Sequence, residues 1–263
     1  MKIAIVTGAS SGMGREFVLQ LNDYVTVQEI WVIARRREAL ESLQEVCPVP
    51  LRVIPLDLCE ETSFDTYSQL LAREKPEVAL LVNAAGFGKF GVSQDIPLTD
   101  ELRMIDLNCK ALVAMTRLTL PYMPKGSHVL QLDSLSAFQP VPWITVYGAT
   151  KSFVLSYSRA LNREIKDIRM MAMNPGWVKT EFFDHAFQTN DAKVQYFDRL
   201  YEAKDVVATG LKALYKSKKD YYVHGFMTRM QVRLVKLLPH SLVMNIWLNQ
   251  QTKQKNNKHL TTK

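Results

Sequence analysis

Apolar and polar positions along this chain switch repeatedly between the period of a strand and the period of a helix. Lys2–Thr7 reads as a short apolar strand that ends in glycines. Gly12–Leu21 carries Met13, Phe17 and Leu21 at the spacing of one helix face. Glu29–Ala34 is a second predicted strand and Arg37–Val46 a helix; Leu51–Leu56 is a third strand and Phe64–Arg73 a helix. Val78–Val82 is apolar throughout and reads as a fourth strand. A long helix from Thr99 to Tyr122 leads to a fifth strand, His128–Leu132, then a long helix Val146–Lys166 and a sixth strand Arg169–Met173. Residues 181–201 are aromatic and irregular. A helix near 203–216 and a short strand at Tyr221–His224 follow. Strands that alternate with helices imply a parallel sheet covered on both faces. The expected fold class is α/β: a single doubly wound domain over 1–225 with a seven-stranded, mainly parallel sheet, and a helical C-terminal appendage over 226–263.

Composition narrows this picture in three places. A length of 263 residues with 47% apolar positions suits one large domain with a full core. Cys47, Cys59 and Cys109 stand far apart, which predicts free thiols, a reducing cytoplasm and neither a disulfide framework nor a metal site. Met1 leads straight into the first strand, so no signal peptide is expected. No apolar run reaches the roughly 18 residues of a membrane-spanning helix. The net charge of +7 lies in the last 38 residues, where Arg229, Arg233, Lys236, Lys253, Lys255, Lys258 and Lys263 meet no Asp or Glu. The balanced body argues against a nucleic-acid partner. In the appendage Met227, Met230, Leu234, Leu237 and Leu238 fall at helical spacing before Pro239, and Leu242–Leu248 offers another helix. Three readings stay open: an interfacial helix drawn to anionic lipid, a lid or subunit contact, or a packed helix with a basic tail.

The first strand ends in Thr7-Gly8-Ala9-Ser10-Ser11-Gly12-Met13-Gly14. Glycines here allow a sharp turn and close ligand approach, and the following helix begins with free N–H groups suited to a pyrophosphate. The second strand ends Ala34-Arg35-Arg36-Arg37, where an acid would select the 2′-hydroxyl of NAD. Guanidinium groups instead suit a 2′-phosphate, so NADP(H) is the expected cofactor, with Arg35 and Arg36 as its contacts. Tyr147 and Lys151 stand four apart on a predicted helix, hence on one face. A phenol with an ordinary pKa near about 10 needs help to work at neutral pH, and a neighbouring ammonium favours the phenolate. Tyr215 and Lys219 repeat the spacing, but Glu202 stands where Ser134 precedes Tyr147.

Thr7–Gly14, Asn83-Ala84-Ala85-Gly86, Asn108, Ser134, Tyr147 with Lys151, and Pro175-Gly176 with Thr180 occur together in one order. In that order they resemble the short-chain dehydrogenase/reductase family, over roughly residues 1–180. The resemblance implies a Rossmann-type fold and carbonyl–alcohol interconversion. It implies that Tyr147 exchanges the proton, Lys151 lowers its pKa and holds the nicotinamide ribose, and Ser134 binds the substrate oxygen. It further implies that Asn108 holds a water linking Lys151 to solvent, that Asp57 and Leu58 lie near the adenine, and that Pro175, Gly176, Val178 and Thr180 border the nicotinamide. A homodimer or homotetramer is implied by family habit alone.

The substrate should lie among Leu135, Phe138, Val141, Trp143, Trp177, Phe182, Phe183 and Phe187, a surface suited to a steroid or lipid-like ketone. A long-chain 3-oxoacyl reductase is the alternative within enzymes. A non-catalytic NADPH sensor or membrane-associated scaffold is the alternative outside them.

Overall fold

The computed structural model describes residues 1–186, 194, 197 and 199–260. Its elements are β1 Lys2–Thr7, α1 Gly12–Gln20, β2 Glu29–Ala34, α2 Arg37–Glu41, β3 Leu51–Pro55, α3 Glu61–Glu74, β4 Glu77–Asn83, α4 Leu98–Ile105, α5 Leu112–Thr119, β5 His128–Leu132, α6 Thr145–Glu164 and β6 Arg169–Asn174. They continue as β7 Trp177–Lys179, α7 Phe182–Ala186, β8 Leu200–Glu202, α8 Ala203–Lys216, β9 Tyr221–Val223, α9 Phe226–Val235 and α10 His240–Leu260.

Seven strands form one sheet in the order β3-β2-β1-β4-β5-β6-β9, every pair parallel. Side chains alternate across it. Ala4 and Val6 of β1 join Ile30 and Val32 of β2 on one face, under Phe17 and Val18 of α1 and Val206 and Leu211 of α8. Ile3, Ile5, Trp31 and Ile33 point the other way, against Tyr67 and Leu71 of α3 and Met115 beside them. Burial on both faces explains why these strands read as near-continuous apolar runs. A buried hydrogen bond of 2.7 Å joins the hydroxyls of Tyr67 and Thr119, so the polar tip of this fully buried tyrosine is satisfied.

Two features differ from the sequence reading. The long helix expected from Thr99 to Tyr122 is interrupted by a π-helical turn, Asp106–Ala111, between α4 and α5. The extra residue in that turn re-aims Asn108 into the interior, where it is 1% exposed. Trp177–Lys179 and Leu200–Glu202 also pair as a small second sheet, at the two ends of the segment read as irregular. Three-residue strands give too little periodicity to detect.

Turn geometry at the end of β1 is set by missing side chains. A Cβ on Gly14 would stand 2.1 Å from the carbonyl oxygen of Gly8, whereas one on Gly126 would meet nothing but carries φ +88°. Gly14→Ala is expected to cost about 1–3 kcal/mol through overpacking, and Gly126→Ala about 1–2 kcal/mol through backbone strain alone. Urea unfolding of both variants checks the difference. Equal and negligible losses would remove the steric account of the turn.

Candidate active site

β1 borders β2 on one side and β4 on the other, and the chain reverses its direction of travel between them. Such a switch point opens a crevice at the carboxyl ends of the strands. A cleft of about 760 Å³ lies there, bordered by the turns after β1, β2, β4, β5 and β6.

The turn after β1 is wound for backbone approach. Gly8 and Gly12 have φ of +68° and +52°. The hydroxyl of Thr7 accepts from the N–H groups of Ala84 and Ala85 at 3.1 Å each, which ties the β1 and β4 turns together. Ser11 precedes α1 in an extended conformation and makes no side-chain capping hydrogen bond. The first-turn N–H groups are thus left for an anion at the cleft wall, where Ser10, Ser11, Gly12, Met13 and Gly14 all lie. These residues fit the pyrophosphate of a dinucleotide.

Arg35 and Arg36 both border the cleft. Arg36 donates to the Ser10 hydroxyl at 3.2 Å and to Glu181 at 3.1 Å, an exposed pair of little energetic weight. Asp57 and Leu58 border it too. Burial raises the Asp57 carboxyl, but the Cys59 N–H, Arg35 and Arg103 outweigh it and hold the group below the usual range. Both of its oxygens are engaged, by Cys59 N–H at 3.0 Å and by Arg103 at 3.1 Å, so Asp57 builds its own turn. Ala84, Ala85 and Gly86 face the cleft, whereas Asn83 does not. Its side-chain amide donates instead to Thr116 at 3.0 Å and Gln131 at 2.9 Å, in the interior. A buried amide at a strand end has to find partners at once, and these lie behind the sheet edge.

Tyr147 and Lys151 lie one turn apart on α6, both buried, with Lys151 Nζ 5.7 Å from the Tyr147 ring centre. The ammonium donates to the Leu132 carbonyl at 2.8 Å. Ser134 opens the turn after β5 and accepts from Ser136 N–H at 3.2 Å, and its hydroxyl also bonds to Tyr147. Burial pushes the Tyr147 phenol well above its ordinary value and the Asp133 charge adds to this, against the Ser134 hydrogen bond. The Lys151 ammonium lies 5.7 Å from the centre of the Tyr147 ring while it bonds to backbone. Asn108 is fully engaged. It accepts from Phe87 N–H at 3.1 Å and donates to the Phe87 carbonyl at 2.9 Å and to Thr150 at 3.0 Å.

Pro175, Gly176, Val178 and Thr180 border the cleft, as do Leu135, Val141, Trp177, Phe182 and Phe183. Phe138 and Trp143 do not. Phe138 turns away to pack on Tyr221, 5.6 Å between ring centres, under the Lys236 ammonium. Trp143 takes φ +67°, which turns its indole into the apolar cluster behind the wall. Phe187 lies outside the described residues. One contributor, Phe90, escaped the sequence reading, and the appendage supplies another part of the wall. Phe90 is 2% exposed and edge-on to Tyr147, Trp177 and Phe182. Leu234 and Leu238 with Val243, Ile246 and Trp247 of α10 form a further wall, held by a 3.0 Å hydrogen bond from the Trp247 indole to the Pro142 carbonyl. Of the readings left open for the appendage, the wall over the cleft matches these positions.

The second Tyr-x-x-x-Lys pair is dispersed. Tyr215 stacks between Tyr24 and His128, and α8 ends at Lys216, before Lys219. Among the described residues no group of acids, histidines and cysteines has the arrangement of a metal site, and no helix is long and apolar enough to cross a membrane.

The family model described as short chain dehydrogenase matches residues 2–191. The NADP-dependent 3-hydroxy acid dehydrogenase of Schizosaccharomyces pombe is 32% identical over 195 residues, 69% of this chain and 73% of its own. Among solved structures, a short-chain dehydrogenase from Sphingobium yanoikuyae in complex with NADPH superposes with a TM-score of 0.75 at 22% identity, covering 89% of this chain and 92% of the other. The 3-ketoacyl-(acyl-carrier-protein) reductase from Brucella melitensis, complexed with NADH, gives 0.71 at 23% identity over 85% and 96%. These likenesses converge with the sheet order and the glycine turn, and the chain belongs to the short-chain dehydrogenase/reductase family of NAD(P)-binding oxidoreductases.

Proposed function

We propose that this protein is an NADPH-dependent reductase that converts a bulky, hydrophobic ketone to the secondary alcohol. One observation carries the reading: Tyr147, hydrogen-bonded to Ser134 and with Lys151 one helical turn away, lines the cleft at the switch point of the sheet. A phenol so held is ready to donate a proton, as reduction requires. The bound nicotinamide would supply the hydride. In this reading Ser134 binds the carbonyl oxygen and holds it against the Tyr147 hydroxyl. Tyr147 then gives up its proton as negative charge develops there, a stabilisation greater in the transition state than in the ground state. Lys151 holds the ribose side of the cofactor and offsets charge left on Tyr147. Asn108 fixes the Phe87 backbone and Thr150 behind them, and Thr180 meets the carboxamide. Phe90, Trp177, Phe182 and the α10 wall exclude water.

NADPH over NADH rests on Arg35 and Arg36, with no acid in Ala34–Arg37, and on the NADP-dependent name of the Schizosaccharomyces pombe relative. The substrate class rests on the apolar wall; steroid-like and long-chain 3-oxoacyl ketones are its two forms. Three unbonded cysteines support a reducing, cytoplasmic setting. Peripheral membrane contact through α9 and the turn after it is a further part of this proposal. Phe226, Met227 and Leu237 are 66, 57 and 83% exposed there, beside Arg229 and Arg233 and with no acid. Apolar bulk ringed by cations complements an anionic bilayer.

Tyr147→Phe is expected to lower kcat for ketone reduction by about 10²–10⁴-fold while NADPH binding persists. Turnover of a panel of steroid, 3-oxoacyl and small aromatic ketones measures this. Equal activity in both proteins would sink the mechanism. Tight NADPH binding with no turnover of any ketone would favour a nucleotide sensor. Replacing Arg35 and Arg36 together by Ala should weaken NADPH about tenfold or more and leave NADH nearly unchanged, since charge-assisted contacts are worth about 1.5–3 kcal/mol each. Equal losses for both nucleotides would remove the selector. Met227→Glu with Leu237→Glu should abolish sedimentation with phosphatidylserine vesicles. Vesicle binding unchanged in that variant, or a dimer that the variant dissociates without any vesicle binding, would replace the lipid reading.

A further inference from the structure

We propose, on the reading of Tyr147 as proton donor given above, that residues 87–91 form a rigid strap across its ring. Within that strap Gly88 and Phe90 are positioning residues: they set the angle from which the Tyr147 hydroxyl reaches Ser134.

Residues 87–91 follow the turn after β4 and belong to no helix or strand. A segment of that kind is ordinarily mobile, because its backbone groups turn to water. Here they turn to protein. Phe87 donates its N–H to Asn108 at 3.1 Å, and its carbonyl accepts from the same side-chain amide at 2.9 Å. The Lys89 N–H donates to the Met104 sulfur of α4 at 3.3 Å. The Phe90 N–H donates to the Ala186 carbonyl of α7 at 3.1 Å, and the Gly91 N–H to the Trp143 carbonyl at 2.7 Å. Trp143 holds φ +67°, a strained conformation for an aromatic residue, and its carbonyl is one of these anchors. The π-helical turn, α4, α7 and the entry to α6 thus hold one short loop in place.

What the loop presses on is Tyr147. A Cβ on Gly88 would stand 2.9 Å from Tyr147 Cδ2, 3.2 Å from its Cγ and 2.8 Å from Cζ of Phe182. The backbone at Gly88 therefore lies directly on the phenol ring. Phe90, two residues on, meets the same ring edge-on with centres 6.1 Å apart, and Phe182 approaches it at 5.5 Å. The Ser134 hydrogen bond holds only the tip of the phenol. The strap holds the body of the ring, and the hydroxyl at its far end moves furthest when the ring turns. A reacting group displaced by about 1 Å loses about 10²-fold in rate.

Gly88 lies outside the left-handed region, so alanine suits its backbone and only space is at stake. The Phe182 tip can swing away from a new methyl. Tyr147 Cγ is anchored on α6 and yields only if the ring turns or the helix moves. In Gly88→Ala, kcat for ketone reduction should fall about 10²-fold while NADPH affinity, read by fluorescence, stays as in wild type. Phe90→Ala should lose activity too, and Phe90→Leu should recover most of it by restoring apolar bulk. Ring flipping of Tyr147, followed by NMR with ring-labelled tyrosine and assigned by its loss in Tyr147→Phe, should be slower in wild type than in Phe90→Ala. Unchanged kcat in Gly88→Ala and Phe90→Ala, or NADPH affinity falling in step with kcat, would overturn the proposal. If Gly88→Ala does not fold, the two Phe90 variants decide. Ring flips equally fast in wild type and Phe90→Ala would overturn it as well. A wild type that binds NADPH but reduces no ketone would defeat the reductase reading, and ring flipping would still decide whether the strap holds Tyr147.

Discussion

The hydroxyl of Thr7 accepts from two successive backbone N–H groups, those of Ala84 and Ala85, and the rest of the cleft depends on that junction. β1 and β4 leave the sheet there in diverging directions. With the two turns tied, the glycine loop presents N–H groups on one side and the Ala84–Gly86 turn passes close behind on the other. A Cβ on Gly8 would stand 2.7 Å from Ala85 N, so the tie and the absence of a side chain work together. Gly86 continues the same packing: a Cβ there would lie 2.9 Å from Asn108 Oδ1 and 3.8 Å from Lys151 Nζ. The glycine loop and the Tyr147–Lys151 face of α6 are thus joined through the Thr7 hydroxyl and the Ala84–Gly86 backbone.

The chemistry on the far side of that junction is a balance between burial and charge. Tyr147 is shielded enough to hold its proton, and it is backed by a lysine whose own charge is sheltered from water. In a dry environment each such interaction is stronger than at a surface, and each unmatched group is also more costly. The region therefore tolerates little variation in which groups surround it. The π-helical turn fits this view, since it spends one helical hydrogen bond's regularity to bring Asn108 against Phe87 and Thr150.

Much of this was legible along the chain because it is local or periodic. The strands of the central sheet are buried on both faces and announce themselves as apolar runs. Tyr147 and Lys151 could be told from Tyr215 and Lys219 because Ser134 precedes only the first pair at the right distance. What escaped was direction. Phe138 and Trp143 sit in a loop whose backbone decides where each ring points, and the positive φ of Trp143 leaves no trace in an aromatic residue's name. Asn83 looked like a cleft residue from its turn motif, yet Thr116 and Gln131, 33 and 48 positions away, claim its amide. Phe90 escaped for the same reason: its partners are distant in sequence.

The hydrogen bond from Trp247 to the Pro142 carbonyl spans 105 positions. During synthesis from the N-terminus the glycine loop, the Ala84–Gly86 turn and the α6 pair can all assemble before α10 exists. The glycine-loop side of the cleft is therefore encoded ahead of the side opposite it. A nascent chain halted before Trp247 would lack that hydrogen bond and leave the cleft open along its α10 side.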